Sequence, residues 1–289
     1  MPAIKLPVSC FSLEHTMLSG QPPFFLMSYE KGVARFLVDR ALVSIHQNKN
    51  ELDVEWEGDA SEEEVREVVE DRFRLRDDMK LIYRKLIKDE FMLKAVAEFY
   101  GLRLTLSDPW ETLASFICSI NNNLRNIKCI VGNISRTFGE KIEIGGETFY
   151  RFPDAASLSK TDFKSLKACK LGFRAEYLKN AAKACSERID LHCIADMDYN
   201  EGRMELMRMK GIGEKIADCV LLFSYGKMES FPIDVWVRRT MRRGYFKNRN
   251  ASDKEITEFA RKYWDGYAGY AQQYVFWYGR NIGSANLRM

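Results

Sequence analysis

Apolar positions along the chain change their period once, near residue 60. Before it, Val33 to Val38 and Ala41 to His46 are apolar-rich runs, and Leu52-Asp53-Val54-Glu55-Trp56-Glu57 alternates strictly, with Asn48-Lys49-Asn50 as the turn between two of them. Alternation at period two puts apolar side chains on one face of a strand and polar ones on the other, so the pattern predicts an antiparallel meander with one wet face. Upstream, Leu18-Ser19-Gly20-Gln21-Pro22-Pro23-Phe24-Phe25 reads as a glycine and proline loop. After residue 60 the period becomes helical. Ser61-Glu62-Glu63-Glu64 combines a serine cap with an acidic first turn, and Lys80 to Tyr100 carries Leu81, Leu86, Ile87, Phe91, Leu93 and Val96 in helical period. Asp108-Pro109 opens another helix. Its segment Thr112 to Cys118 is apolar nearly all round, which predicts a central helix ending at Asn121-Asn122-Asn123. Ile142 to Tyr150 reads as a small hairpin about Gly145-Gly146, and helices resume after Pro153.

These elements predict an α+β protein: an N-terminal antiparallel β-sheet domain packed on a mostly α-helical body. The division runs 1–104 for the sheet domain with its helices, 105–200 for a helical domain, and 201–289 for a region of helices around a glycine hairpin. No internal repeat or low-complexity tract interrupts it.

That hairpin region carries the chemistry. From Leu206 to Arg243 the chain reads helix, glycine hairpin, helix, loop, helix, with Gly211 and Gly213 flanking one apolar residue, and Ile216, Val220 and Phe223 marking a buried helix face. Such a turn points the amides of Gly211, Ile212 and Gly213 outward at a helix start, where they can grip a phosphate of a nucleic-acid strand. Lys215, in the first turn of the second helix, supplies an amine that can attack a sugar carbon and form a Schiff base. Phe231-Pro232-Ile233-Asp234 then leads into a helix with Asp234 as its N-cap, and a carboxylate held there can stabilise positive charge developing on a deoxyribose. Singly, each signal also fits a bland role: a common turn, a solvated lysine, a structural cap. The sequence is not that of a nucleotide-phosphate loop, because Ile216 rather than Ser or Thr follows Gly-Glu-Lys.

Composition narrows the picture. With 46% apolar and 29% charged residues, the 289-residue chain has the make-up of an ordinary soluble globular protein. A net charge of only +3 means that nucleic-acid binding requires clustered basic residues. Arg238, Arg239, Arg242, Arg243, Lys247 and Arg249 form such a cluster, with no acid among them. The seven cysteines are scattered without a CxxC pair, and the three histidines show no ligand spacing. The chain therefore reads as reduced and intracellular, with no metal, no cofactor and no membrane span. Two further features suit a nucleic-acid partner. Asn121-Asn122-Asn123 suits a turn but also offers amides to fill a gap in a duplex, and Phe173-Arg174 after Gly172 suits a wedge into a base stack, or a core aromatic beside a surface arginine.

The arrangement from Gly211 to Asp234 resembles the helix-hairpin-helix DNA glycosylases, and within them the 8-oxoguanine DNA glycosylase/AP lyase family. The likeness extends from Ser19-Gly20-Gln21 through Phe116-Ile117-Cys118 and the three asparagines to Tyr267-Ala268-Gly269. It implies Lys215 as Schiff-base nucleophile and Asp234 as essential carboxylate. It further implies that the Gly20 carbonyl meets the N7 hydrogen that distinguishes 8-oxoguanine from guanine, that Phe276 and Cys219 sandwich the flipped base, and that Gln272 reads its Watson-Crick edge. Asn121 and Arg174 would meet the opposite cytosine, with Phe173 as wedge. The implied partner is double-stranded DNA containing 8-oxoguanine, bound by a monomer. The implied location is the nucleoid-containing cytoplasm of a prokaryote or the nucleus of a eukaryote. No cysteine follows Cys219, so the C-terminal iron-sulfur cluster of some related glycosylases has no ligands here. The sequence departs from the animal pattern at Asn126, where a second cytosine-reading arginine is usual, at Phe173 in place of tyrosine, and at Trp236 in place of a phosphate-holding histidine. Two other classes stay open: a monofunctional alkylpurine glycosylase and a non-catalytic helix-hairpin-helix DNA-binding protein. Neither requires an amine at residue 215.

Overall fold

The computed structural model describes residues 1–281. Strands β1 (Ala3–Pro7), β2 (Ser28–Glu30), β3 (Val33–Val38), β4 (Arg40–Asn48) and β5 (Glu51–Asp59) form one antiparallel sheet in the order β1-β5-β4-β3-β2. The β4–β5 register pairs Val43 with Trp56 and Ile45 with Val54. Leu52, Val54 and Trp56 are therefore buried on one face while Asp53, Glu55 and Glu57 look outward. The turn between these strands puts Lys49 at positive φ, and the predicted meander is present with β1 and β2 added at its edges. Those two edge strands were not legible in the sequence.

Helix α3 (Glu62–Arg72) begins at Ser61, whose hydroxyl and the Glu64 carboxylate complete a capping box. Its Val65 and Val69, with Phe73, close the sheet's apolar face against Phe11 and Phe36. The stretch read as a glycine and proline loop is different: helices α1 (Leu13–Leu18) and α2 (Pro22–Leu26) flank a short turn at Ser19-Gly20-Gln21. Proline at the first turn of α2 starts that helix rather than preventing it. The helical run from Lys80 is likewise two helices, α4 (Met79–Leu86) and α5 (Glu90–Glu98), because Asp89 caps the second by accepting from the Met92 amide. Both lie within the stretch read as N-terminal, yet their buried residues join the helical core.

In the helical body, α6 (Pro109–Cys118) is buried on all sides from Thr112 to Cys118, as its sequence predicts. It is followed by α7 (Leu124–Phe138), the hairpin β6 (Lys141–Ile144) and β7 (Glu147–Tyr150), α8 (Ala155–Lys160), α9 (Phe163–Ala168) and α10 (Arg174–Glu187). The β6–β7 hairpin lays Ile142 and Ile144 over Leu42 on the sheet. The described residues end with α11 (Tyr199–Met207), α12 (Glu214–Tyr225), α13 (Val235–Gly244), α14 (Asp253–Tyr263) and α15 (Ala268–Asn281). Helix α12 is buried from Ile216 to Phe223 and packs on α6, with Phe116 and Phe223 stacked at 5.6 Å. Two buried helical segments in contact make a rigid floor for whatever lies at their ends. Among the described residues no helix is long and apolar enough to cross a membrane.

Candidate active site

The helix-hairpin-helix is α11, a tight turn and α12. Buried Asp218 on α12 accepts from Tyr199 Oη at 2.6 Å and Arg203 Nε at 3.0 Å on α11, which fixes the angle between the two helices. Burial pushes the Asp218 carboxyl upward, and these two donors pull against that shift. Gly211 has φ +90°, and a Cβ there would lie 2.4 Å from the Tyr177 ring, so conformation and space both demand glycine. Gly213 is extended (φ −98°), with nothing within 4 Å of where a Cβ would be, which leaves room for a partner to approach the backbone. The expected grip by three amides narrows to two. The Ile212 amide donates to the Met209 carbonyl at 3.1 Å and its side chain is buried, because a turn this tight closes on itself.

A cleft of about 660 Å³ opens beside the hairpin, and all the predicted site residues except Phe173 and Arg174 line it. Lys215 rises into it from the first turn of α12. Its Nζ donates to Ser119 Oγ at 2.9 Å and lies 4.8 Å from the centre of the Phe116 ring. Ser119 in turn donates to the Phe116 carbonyl at 2.6 Å, so its oxygen is left to accept from the lysine. Sequence reasoning missed Ser119. Its only local signal is a hydroxyl at the C-terminal end of an apolar helix. Asp234 caps α13 as predicted, and both hydrogen bonds, from the Trp236 amide at 2.9 Å and the Val237 amide at 2.8 Å, fall on Oδ1. Its second oxygen makes no bond among the described residues.

The far wall is built from α15 and the α1–α2 turn. Gln272 is 6% exposed; its Nε2 donates to the Pro232 carbonyl at 2.9 Å, and its Oε1 is buried with no partner among the described residues. An orphaned acceptor at the wall of a cleft is costly unless a ligand satisfies it. Also lining the cleft, from α12, the Cys219 thiol is pushed up to about 12 by burial, so it is a neutral, polarizable contact rather than a thiolate. Gly20 has φ +75°, and a Cβ would come within 3.1 Å of Leu124 and 3.3 Å of Phe276. A buried network holds this turn: Gln273 Nε2 donates to the Ser19 carbonyl at 2.9 Å, Gln21 Nε2 to the Arg103 carbonyl at 2.8 Å, and the Thr105 amide to Gln21 Oε1 at 3.0 Å. No donor among the described residues reaches the Gly20 carbonyl.

The three asparagines divide their roles. Asn123 caps α7 by accepting from the Asn126 amide, and Asn122 bonds back to the Cys118 carbonyl. Asn121 is exposed at φ +47°, with its side chain uncommitted. Arg174 lies just outside the cleft, donating from Nε to the Ile120 carbonyl at 2.7 Å and from one terminal nitrogen to that of Asn121 at 2.9 Å. It thus props the asparagine turn. The Phe173 ring beneath its guanidinium, 4.6 Å away, is 53% exposed. The basic cluster after Asp234 is only partly available. Arg238 pairs bidentately with Asp253, Arg249 pairs with Glu255, and Arg242 donates to the Ala251 carbonyl. The acids come from α14, beyond the window in which the cluster looked uncompensated.

Comparison with known proteins gives the family. Residues 3–113 match the 8-oxoguanine DNA glycosylase N-terminal domain, and residues 114–265 match the HhH-GPD superfamily base excision DNA repair protein. The chain belongs to the 8-oxoguanine DNA glycosylase family. A probable N-glycosylase/DNA lyase of Methanothermobacter thermautotrophicus is 31% identical over 97% of both chains. Among solved structures, MBOgg1 in complex with a low-affinity DNA ligand superposes with a TM-score of 0.91 at 33% identity, covering 98% of this chain and 96% of that one. The Clostridium acetobutylicum 8-oxoguanine glycosylase/lyase, in complex with double-stranded DNA containing cytosine opposite 8-oxoguanine, gives 0.88 at 32%, covering 95% and 93%. In this family's terms the sheet and helical body are the expected α+β architecture.

Proposed function

We propose that the protein is a bifunctional 8-oxoguanine DNA glycosylase/AP lyase that acts as a monomer on duplex DNA, with the roles assigned to its residues as follows. The observation that carries this reading is the Lys215 amine, the one lysine among the residues lining the cleft, held there by Ser119. A nucleotide turned out of the duplex places its sugar C1′ at the amine. Nitrogen attacks as the glycosidic bond breaks and the base leaves with the bonding pair, and Asp234 stabilises the positive charge that develops on the sugar. Ring opening gives an imine to Lys215, and loss of a C2′ proton then expels the 3′ phosphate. The turned-out base lies between Cys219 and Phe276, its N1–H or amino group satisfying the orphaned Gln272 Oε1 and its N7–H meeting the Gly20 carbonyl. Borohydride trapping on a duplex containing 8-oxoguanine tests the reading. A covalent protein–DNA adduct is expected, whereas base release without an adduct would make the protein a monofunctional glycosylase, and no release would leave only DNA binding.

Lesion discrimination follows from a single backbone contact. A guanine analogue with carbon at position 7 and no donor there should bind no better than guanine, a loss of about 1–3 kcal/mol relative to 8-oxoguanine. If competition binding shows it equal to 8-oxoguanine, the Gly20 contact is misassigned.

Choice of the opposite base should be loose. Helix α7 starts at Leu124, so Arg125 and Asn126 are consecutive helical residues, both exposed, about 100° apart around the axis. Arg125 does not take the place of the missing arginine. Excision is expected opposite all four bases, and Asn126→Arg should raise the preference for cytosine over adenine by roughly tenfold to a hundredfold, the value of one bidentate arginine contact. Single-turnover rates on four duplexes check it; strong cytosine selectivity in the unmodified protein would mean that Arg174 suffices alone.

A further inference from the structure

Two guanidiniums meet one indole at the mouth of the cleft. Trp236 stands in the first turn of α13, Arg239 lies one turn further on, and Arg280 arrives from the end of α15. Arg239 Cζ lies 5.1 Å and Arg280 Cζ 5.9 Å from the Trp236 ring centre. Trp236 and Arg280 both line the cleft. Helices α13 and α15 approach closely here. Gly279, beside Arg280, has no room for a side chain, since a Cβ would fall 2.0 Å from the hydroxyl of Thr240, beside Arg239.

Neither guanidinium has an ion-pair or hydrogen-bond partner among the described residues, whereas neighbouring Arg238 and Arg249 are neutralised by Asp253 and Glu255. Two uncompensated like charges sharing one ring repel each other, and contact with the π face offsets this only in part. A compact anion with several oxygens relieves the repulsion and fits two planar donor forks. We propose that Arg239 and Arg280, aimed by Trp236, clamp one phosphodiester of the lesion-bearing strand next to the turned-out nucleotide. The proposal rests on the reading of duplex DNA as substrate. Trp236 acts as the spacer that keeps the forks on one phosphate.

The test is the salt dependence of binding to a duplex carrying a tetrahydrofuran abasic site, from which nothing can be excised. Each neutralised phosphate contributes about 0.9 to the slope of log affinity against log salt, so between roughly 50 and 200 mM the variant Arg239→Gln/Arg280→Gln should weaken about 3.5-fold less than the unmodified protein. Because both forks hold one phosphate, either single variant should show most of this change, while two independent charges would add. Trp236→Ala should behave like the double variant and Trp236→Phe like the unmodified protein. Lys5→Gln, on edge strand β1, should leave the slope unchanged. An unchanged slope in the double variant overturns the clamp. So does Trp236→Ala that melts normally and binds with the unmodified slope. If Trp236→Ala does not fold, the double variant, which alters only side-chain ends, decides. Failure of the clamp and failure of the glycosylase reading look different: intact 8-oxoguanine release with an unchanged slope removes the clamp alone, and no release with a reduced slope removes the glycosylase reading alone.

Discussion

Lys215→Gln should abolish borohydride trapping and slow release of 8-oxoguanine by about a thousandfold or more, the scale expected when a nucleophile is removed from a site that otherwise still binds. Glutamine is the informative replacement. Its amide can still donate to Ser119 Oγ, the bond that holds residue 215 in the cleft, but it has no basic nitrogen to add to a sugar carbon. Lys215 is only partly buried and in the first turn of α12, so stability should change by less than about 1 kcal/mol. Affinity for a duplex with a tetrahydrofuran site should change little, because the Gly211 and Gly213 amides and the wall of the base pocket are untouched. The measurement pairs trapping yield with anisotropy binding. Trapping that persists in Lys215→Gln would place the imine on another amine and falsify the assignment.

Replacing Asp234 with asparagine separates charge from capping. Asparagine caps helices about as well as aspartate, so the bonds from the Trp236 and Val237 amides should survive and the melting temperature should fall by only a few degrees, for a loss of about 1 kcal/mol or less. The negative charge facing the developing sugar cation is lost. Removing one such electrostatic stabiliser typically costs about a hundredfold to a thousandfold in rate. Single-turnover excision and thermal melting on the same preparation distinguish the roles. A large loss of stability with near-normal excision would make Asp234 a cap and nothing more. Asp234→Ala adds a control, since it removes charge and cap together and should lose both rate and stability.

Where the chain's own pattern was informative, the signal was confined to a few neighbouring residues. The strict alternation of Leu52 to Glu57 predicts β5 and its buried face, the serine and three glutamates at residue 61 predict the capped start of α3, and Gly145-Gly146 predicts the β6–β7 turn. The glycine pair around Ile212, Lys215 in the following turn and Asp234 before the next helix were legible for the same reason. Each is a local conformational requirement expressed within one or two turns. Failures within that range came from competing local rules. Pro22 starts α2 although it was read as a loop, and Asp89 caps a new helix inside a run whose apolar period continues through it.

Tertiary structure alone decided which of these features share a cleft and which are free to act there. Ser119 holds an amine 96 residues away, and the Gly20 turn is pinned by Gln273 across a separation of 254 residues. Arg238 looks like part of an open basic cluster until α14 brings Asp253 against it, and the Ile212 amide looks available until the hairpin folds back onto Met209. Helix period, caps and turn residues depend on backbone torsions set by near neighbours, so the sequence by itself determined most of the elements, the hairpin, and the places of Lys215 in the turn after it and Asp234 at the next helix start. Burial, partner choice and residual hydrogen-bonding capacity depend on what other segments bring within about 3 Å, the range over which a hydrogen bond is made or lost, and only the packed chain specifies that.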